Sequence, residues 1–488
     1  MMSDTGGLGL LEHPATRAAE GVARAEAVRR ELRHARRALA ADLASGGEPV
    51  GHARLAAESV SRLERELDAL LADPEILERA RRALDERAAV LRVAVTAHRF
   101  ETEALRRWED GDELIAHAAV TGRRLTDDER RFLEATPERA ETALERALPE
   151  AASAALVTGA AEALATVRVR ETRAQLQEGL WVSPQMQGAV RAALPALAAG
   201  APLLLIGETG GAKTALAEHL AARVAPEAEF VSGYGDITSA QLVGTHELRA
   251  EGGATVTAFE PGPLLRAMTE GKPLILDEVN AMPPEFLKRL NRILQLRPGA
   301  RFAVQEQAGL TVTIARGFSI IATANEHAPG RYRGIEPLSA ELINRFGANV
   351  HRVHYPDAHV AYDDYPHENM LLAAASLADE SGELPGTITL ADLEPVARAA
   401  FVSQQVFSGN YGEGFRGFVT SEREYDREPG LIETVIAPRT LAAILEQVAL
   451  TATTRSLNEA LARFLDGVMN AHDRRVLALI FEGQGIAL

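Results

Sequence analysis

The sequence predicts an α/β fold with a parallel sheet, preceded by an all-α region and followed by a helical one. Between residues 179 and 355, short apolar runs typical of buried strands alternate with amphipathic helical patterns. Before this stretch, Leu recurs at near-heptad spacing among Ala, Arg and Glu, which is typical of a helical bundle or a coiled-coil hairpin. We therefore expect a mobile tail at 1–13, a helical domain at 14–178, the α/β domain at 179–355, and a helical lid with C-terminal helices at 356–488.

The composition is that of an ordinary globular protein of several domains, with 46% hydrophobic and 25% charged residues among 488. The net charge of −17 disfavours a protein that coats nucleic acid. We expect no membrane span, because no apolar run reaches about 18 residues. The N-terminus lacks the charged and apolar regions of a signal peptide. Cysteine is absent, which excludes disulfides and thiolate metal sites, so we expect a cytoplasmic protein.

Two long helices are expected in the N-terminal region, at Thr16–Leu43 and Pro74–Arg107. The Asp73–Pro74 step marks the start of the second helix. Stripes of Arg and Glu along these helices are most simply a solvated face, and the alternative is a docking surface for a partner. No catalytic constellation of residues stands out in this region of the sequence.

The stretch Leu203–Thr214 predicts a phosphate-binding loop. An apolar strand is followed by a glycine-rich turn, then by Lys213 and Thr214, and then by the helical run Ala215–Val224. In such a loop the backbone N–H groups surround phosphate oxygens, the lysine reaches the β/γ-phosphates of ATP, and the threonine binds Mg²⁺. The predicted nucleotide-binding residues are Gly207, Glu208, Thr209, Gly210, Gly211, Ala212, Lys213 and Thr214.

Ala212 departs from the usual pattern G-x-x-x-x-G-K-[ST], in which a glycine precedes the lysine. Taken alone, the stretch is also compatible with a structural glycine turn. The lysine favours phosphate binding, because the chain uses Arg for nearly all its cations and has only Lys213, Lys272 and Lys288. Since a helix begins at about this point, we expect Ala212 to have an ordinary helical φ and to be harmless.

Two further strands end in polar residues that suit the same site. The strand Pro273–Glu278 ends in two carboxylates, of which Asp277 could hold Mg²⁺ through water and Glu278 could orient or deprotonate an attacking water. A polar turn after a strand would look similar, but these carboxylates follow the candidate phosphate loop at a fitting distance. Asn325 comes after the strand Phe318–Thr323, where it faces the ligand crevice of an open α/β sheet or simply forms a turn.

Taken together, the stretch from about Trp181 to Thr454 resembles an AAA+ ATPase, most closely the MoxR and dynein-related branch. Gly207–Thr214 matches Walker A, and Leu274–Glu278 matches Walker B. Asn325 matches sensor 1, Arg345 matches the arginine finger, and Arg439 in Ala-Pro-Arg-Thr matches sensor 2. Two predicted hairpins, His246–Pro261 and Arg301–Ala315, occur where this branch carries its helix-2 insert and pre-sensor-1 hairpin. The stretch Ser408–Pro429 is rich in Gly and aromatic residues and is expected to be a long loop or small insertion. This insertion, taken as 408–436, and the helical N-terminal region have no counterpart in the pattern.

The resemblance implies an ATP-hydrolysing ring, usually a hexamer, that uses ATP and Mg²⁺ at subunit boundaries to remodel or activate a client protein. A von Willebrand factor A domain protein is the partner that this branch often has. The first alternative is a nucleic-acid translocase or restriction-type motor, which the acidic balance and the lack of a basic aromatic module disfavour. The second is a non-hydrolysing, nucleotide-dependent scaffold, which would follow if Ala212 spoiled the loop. The intact Asp277, Glu278, Asn325 and Arg345 favour hydrolysis.

Overall fold

The computed structural model describes residues 14–44, 52–134, 143–251, 254–326, 337–385, 388–425, 427–449 and 453–486. The predicted tail at 1–13 lies outside these residues. The chain divides into two compact units, one formed by Met1–His98 with Thr142–Leu164 and the other by Arg99–Glu141 with Ala165–Leu488. Among the described residues, no helix is both long enough and apolar enough to cross a membrane.

The N-terminal part of the chain is helical, as the sequence predicts. Its helices are α1 (Pro14–Ala44), α2 (His52–Leu71), α3 (Pro74–Thr121), α4 (Asp127–Glu134), α5 (Ala143–Ala147) and α6 (Ala154–Gln177). Within the first unit, α1 and α2 pack together through an apolar cluster around Val28 and Leu63. Asp73 accepts a hydrogen bond from the Glu75 N–H at 2.9 Å, so the predicted start of a helix at Pro74 is confirmed.

A five-stranded parallel sheet forms the centre of the α/β region and confirms the predicted fold class. The strands of this region are β1 (Leu203–Gly207), β2 (Glu229–Ser232), β3 (Gly244–Glu251), β4 (Ala254–Pro261), β5 (Pro273–Asp277), β6 (Arg301–Ala303), β7 (Thr311–Thr313), β8 (Ser319–Asn325) and β9 (Val350–Val353). The sheet has the order β2-β5-β8-β1-β9. Because parallel strands end at one edge, the ends of β1, β5 and β8 lie together.

Helices cover both faces of this sheet. They are α7 (Pro184–Ala198), α8 (Lys213–Val224), α9 (Ser239–Val243), α10 (Pro263–Glu270), α11 (Pro284–Ile293) and α12 (Ala340–Phe346). Along β1, Leu203 and Leu205 pack in one core cluster with α7 and α8, and Leu204 packs in the other with α10 and α11. This alternation explains why β1 is a continuous apolar run, since neither face of the strand is exposed to water.

Two antiparallel hairpins project from the α/β region, and both were predicted. The first pairs β3 with β4, and the second pairs β6 with β7. Their side chains meet where His246 Nε2 lies 2.8 Å from Gln307 Oε1. In the middle of β3, Leu248 is 75% exposed, which is unusual for a large apolar side chain.

The chain after residue 355 is helical, as expected for a lid. Its helices are α13 (His367–Leu377), α14 (Leu390–Phe407), α15 (Ser421–Tyr425), α16 (Pro438–Ala449), α17 (Thr454–Asp466) and α18 (Ala471–Gly483). Helix α13 was not predicted, because it is buried on nearly every side and shows no amphipathic pattern. The stretch 408–436, predicted to be a loop or small insertion, contains a short 3₁₀ turn at Phe415–Phe418 and helix α15.

The end of this stretch is fixed by a buried carboxylate. Asp473 of α18 accepts hydrogen bonds from the backbone N–H groups of Ile432, Glu433 and Thr434 at 2.7 to 2.8 Å. The carboxylate is fully buried, so these three bonds replace the hydration that burial removes. As a result, the chain enters α16 along a defined path.

Candidate functional site

The loop between β1 and α8 has the backbone geometry of a phosphate cradle. A Cβ on Gly207 would lie 2.3 Å from the carbonyl oxygen of Val353, so only glycine fits there. Gly210 has φ 71, a left-handed conformation that favours glycine. Helix α8 begins at Lys213, so its unpaired N–H groups and the positive end of its dipole adjoin the loop.

Ala212 contradicts the expectation of an ordinary φ, because its φ is 63 and its ψ is 26. The left-handed conformation costs an L-residue about 1–2 kcal/mol. Ala212 adopts it as the N-cap of α8, where its carbonyl accepts from the Leu216 N–H at 2.9 Å while the loop turns into the helix. The loop therefore has the backbone shape that glycine favours, in spite of the methyl group.

Lys213 is almost completely buried, with 7% of the residue exposed. Its Nζ donates a hydrogen bond to the backbone oxygen of Glu208 at 2.8 Å, which holds the ammonium under the loop. Burial lowers the pKa of Lys213 to about 8, against the opposing effect of the Glu208, Glu278 and Asp277 carboxylates. At pH 7 the side chain remains mostly protonated, as an anion-binding group requires.

The predicted metal-binding residues lie in contact. Thr214 Oγ1 donates to Asp277 Oδ1 at 2.8 Å. A hydroxyl and a carboxylate are hard oxygen donors of the kind that Mg²⁺ prefers, so these two residues fit that ion. Beside them, Asn325 Nδ2 donates to Glu278 Oε1 at 3.3 Å. The structure therefore brings together four predicted side chains from three segments: Thr214 at the start of α8, Asp277 and Glu278 at the end of β5, and Asn325 at the end of β8.

Two buried residues of this site were missed by the sequence reasoning. Thr323 of β8 donates its hydroxyl to Asp277 Oδ1 at 2.6 Å and accepts from the Glu278 N–H at 2.9 Å. Asn280 donates Nδ2 to the Asn325 carbonyl at 3.0 Å and accepts from the Asn325 N–H at 3.3 Å. Neither residue belongs to the motifs that the sequence matches, so no pattern identified them.

Arg439 completes a cleft of about 300 Å³ at this edge of the sheet. The residue lies in the first turn of α16, as predicted, so it comes from the lid and faces the loop. The cleft is lined by Thr209, Gly210, Ala212, Lys213, Thr214, Asp277, Glu278, Thr323, Asn325 and Arg439.

The lid also contacts the loop through a buried tyrosine. Tyr355, 3% exposed, donates its hydroxyl to the backbone oxygen of Thr209 at 2.5 Å. The Tyr355 ring belongs to the apolar core of the lid, where it lies near the Phe407 ring. A Cβ on Gly210 would meet the Ala437 side chain at 2.6 Å, so loop and lid are closely packed there as well.

A second cavity, of about 580 Å³, borders the same loop. Its walls are mainly apolar and include Trp181, Met186 and Leu372, and its polar members include Arg173, Gln185, His354, Arg439 and Glu446. A cavity of this size and character suits a planar organic group such as a nucleobase. The two cavities share Gly210, Ala212 and Arg439, so one ligand could occupy both.

Arg345 is the predicted site residue that the structure does not bring into the cleft. It lies near the end of α12, where Nη2 donates to Glu341 Oε1 at 3.2 Å. The Gln295 side-chain oxygen, in the orientation that satisfies both groups, accepts from Arg345 Nε at 3.2 Å. Among the described residues, those that line the cleft do not include Arg345.

Comparison with known proteins agrees with this geometry. Residues 202–346 match the sequence profile of the AAA domain, dynein-related subfamily. The uncharacterized protein YojN of Bacillus subtilis strain 168 is 36% identical over 154 residues, which are 32% of this chain and 48% of YojN. An uncharacterized protein of Staphylococcus haemolyticus is 35% identical over 170 residues, 35% of this chain and 61% of that protein. The chain thus spans about half the length of the curated relatives it matches.

The crystal structure of NtrX from Brucella abortus in complex with ADP aligns over 71% of this chain and 70% of NtrX, with 19% sequence identity and a TM-score of 0.37. Residues 202–346 contain the loop from Gly207 to Thr214 and four of the five strands of the parallel sheet, namely β1, β2, β5 and β8. Residues 202–346 therefore match the AAA domain of the dynein-related subfamily in sequence, and they lie in a region with the AAA+ P-loop fold.

Proposed function

We propose that this protein is a MoxR-type AAA+ ATPase, which binds and hydrolyses ATP with Mg²⁺, assembles into a ring, usually a hexamer in such proteins, and remodels or activates a client protein. The observation that carries the proposal is the convergence of Lys213, Thr214, Asp277, Glu278 and Asn325 in one cleft. These residues can supply the phosphate-binding, Mg²⁺-binding and water-positioning groups of phosphoryl transfer to water, and the neighbouring cavity has room for the base of the nucleotide.

Each side chain has a proposed role in hydrolysis. The loop N–H groups and the Lys213 ammonium bind the phosphates, and Thr214 with Asp277 would hold Mg²⁺, which neutralises charge on the phosphates when bound. Glu278 orients the attacking water or accepts its proton, and Asn325 fixes the Glu278 carboxylate. Arg439 enters from the lid and links the lid position to the nucleotide.

Substitution of Glu278 tests hydrolysis directly. Glu278→Gln should leave ATP binding intact and slow turnover by roughly two or more orders of magnitude, because the base or water-positioning group is lost. Lys213→Ala should instead weaken binding of a fluorescent ATP analogue. Glu285→Gln, an exposed carboxylate on α11, is the matched control and should behave as wild type. If Glu278→Gln hydrolyses ATP at the wild-type rate, the proposed role of Glu278 in hydrolysis is wrong.

The position of Arg345 outside its own cleft supports the proposed ring. A surface arginine paired with Glu341 would contribute only about 0–1 kcal/mol to stability. In the proposed ring, Arg345 instead reaches the γ-phosphate bound by the neighbouring subunit, where such arginines accelerate transfer by roughly 10³–10⁵. Arg345→Ala should therefore be nearly inactive, although every residue of its own cleft is intact.

A mixing experiment separates the two interpretations of Arg345. Lys213→Ala and Arg345→Ala subunits should each be nearly inactive alone. In a mixed ring, the Lys213→Ala subunit still offers its Arg345 to the intact loop of an Arg345→Ala neighbour, so partial activity should return. Mass measurement of tagged rings establishes whether subunits exchange. Confirmed exchange without recovered activity, or full activity of Arg345→Ala alone, would exclude the role in trans.

The hairpins favour a protein client over nucleic acid. The first hairpin, residues 244–261, contains Glu247, Glu251 and Glu260 against a single arginine, Arg249, so it would repel a phosphate backbone. It also exposes Leu248, an apolar side chain suited to contact with another protein. A gene for a von Willebrand factor A domain protein beside this gene would support the client function. A neighbouring nuclease gene would support the translocase alternative.

A further inference from the structure

Thr323 occupies a special place in the sheet, at the point where the β5–β8 ladder stops. The register pairs Leu276 with Ala322 as the last partners of that ladder. Two residues beyond Leu276, just after the end of β5, the Glu278 N–H donates to the Thr323 hydroxyl at 2.9 Å. A side chain thus replaces the backbone acceptor that the ladder no longer offers.

The same hydroxyl also holds the neighbouring carboxylate. It donates to Asp277 Oδ1 at 2.6 Å, the oxygen that also accepts from Thr214 Oγ1 at 2.8 Å. Two hydroxyl donors on one oxygen fix the rotation of the carboxylate about its side-chain bonds. One buried hydroxyl therefore contacts Asp277 through its hydrogen and Glu278 through its lone pair.

Glu278 needs such support because its backbone is left-handed, with φ 52. This conformation is unfavourable for a residue with a Cβ and persists only where surrounding contacts enforce it. It aims the Glu278 side chain at Asn325, whose Nδ2 donates to Glu278 Oε1. Without an acceptor for its N–H, a relaxed Glu278 backbone would carry the carboxylate away from Asn325.

We propose that Thr323 is a positioning residue for ATP hydrolysis, which sets the orientation of both Asp277 and Glu278 through its single hydroxyl. The proposal rests on the proposed ATPase function. It requires the hydroxyl and not merely the shape of the side chain. Valine has the shape of threonine without the hydroxyl, and serine has the hydroxyl without the methyl group, so these two substitutions separate positioning from packing.

A matched control lies on the same strand. Ser319 at the start of β8 is fully buried, and its hydroxyl has no hydrogen-bond partner among the described residues. Ser319→Ala therefore removes a buried hydroxyl from β8 at the end remote from the cleft. Any general effect of altering β8 should be the same in this variant as in a Thr323 variant.

The test measures ATP turnover, nucleotide affinity and thermal unfolding of the full chain. Thr323→Val should lower kcat by roughly 10- to 100-fold, the range for residues that orient catalytic or metal-binding groups. Without Mg²⁺, its affinity for a fluorescent ATP analogue should stay within about tenfold of wild type, since the phosphate loop is intact. Thr323→Ser and Ser319→Ala should keep kcat close to wild type. Wild-type turnover by Thr323→Val, or equal losses in Thr323→Val and Thr323→Ser, would overturn the proposal.

Nucleotide binding distinguishes this proposal from the proposed function. If the wild-type protein shows no turnover that depends on Glu278, the proposed ATPase function is wrong. The Mg²⁺ dependence of analogue binding then tests whether Thr323 orients the Asp277 carboxylate. Thr323→Val should then lose most of the affinity that Mg²⁺ adds, because the Asp277 carboxylate is no longer oriented, and Thr323→Ser should keep it. Equal Mg²⁺ enhancement in wild type and Thr323→Val would reject positioning as well.

Discussion

Replacement of Ala212 by glycine tests whether the chain itself imposes the shape of the phosphate loop. The left-handed φ of Ala212 costs about 1–2 kcal/mol, which glycine would not incur. Glycine also increases the conformational entropy of the unfolded chain, which cancels about 0.4–1 kcal/mol of this gain in stability. Ala212→Gly should therefore raise the free energy of unfolding by about 0–1.6 kcal/mol, a shift of at most a few degrees in melting temperature.

The effect on nucleotide affinity should be small for a different reason. Bonds within the chain hold the loop, namely Lys213 Nζ to the Glu208 carbonyl and the Leu216 N–H to the Ala212 carbonyl. We therefore expect the same φ at residue 212 with and without nucleotide, so that the strain cancels between the free and bound proteins. Affinity for a fluorescent ATP analogue should change by less than about tenfold, or 1.4 kcal/mol.

Gly210→Ala is the contrasting variant, because it adds the same left-handed strain and also brings a Cβ within 2.6 Å of the Ala437 side chain. It should lower both the melting temperature and nucleotide affinity by more than Ala212→Gly changes them. An affinity gain well above tenfold in Ala212→Gly would refute the reasoning. It would mean that the methyl group blocks the native loop, and the non-hydrolysing scaffold would then become the better interpretation.

Two further substitutions test the lid. Tyr355→Phe removes the hydrogen bond to the Thr209 carbonyl but keeps the buried ring, so it should lower the free energy of unfolding by about 1 kcal/mol, which a melting curve records as a shift of a few degrees. Burial raises the pKa of Glu368 from 4.5 to about 7. Between these pH values the folded state therefore binds more protons than the unfolded state. The contribution of Glu368 to the free energy of unfolding consequently falls as the pH rises from 4.5 to 7. Glu368→Gln should therefore raise the free energy of unfolding at pH 8 by up to about 3 kcal/mol, which a melting curve shows as a higher melting temperature. At pH 4.5 both quantities should be nearly unchanged.

The sheet and the phosphate loop were predictable because their causes are local in the sequence. Each central strand is buried on both faces, so it is a short apolar run bounded by polar residues or glycine. The loop needs close backbone approach at Gly207 and a compact cation at Lys213, and both requirements restrict the residue type. Helix α13 was not predictable in this way, since a helix buried all round has no periodic pattern and resembles any other apolar run.

The conformation of Ala212 could not be obtained from the sequence either. The position is the first residue before α8, and a helix start is compatible with several values of φ. What decides the φ is the path of the loop back from the end of β1, which depends on the spacing between the strand and the helix. The residue type alone favoured the wrong answer, because alanine rarely adopts a left-handed conformation.

Thr323 is a different case, since its position could have been inferred. Side chains two residues apart on a strand point to the same face. Thr323 therefore lies on the same face of β8 as Asn325, two residues before the end of the strand. The neighbouring strand order puts β5 beside β8, and its last residue is Asp277. A hydroxyl in this position has a carboxylate as its nearest polar neighbour. Candidate positioning residues can therefore be sought two positions before each polar strand end, wherever the strand order is known.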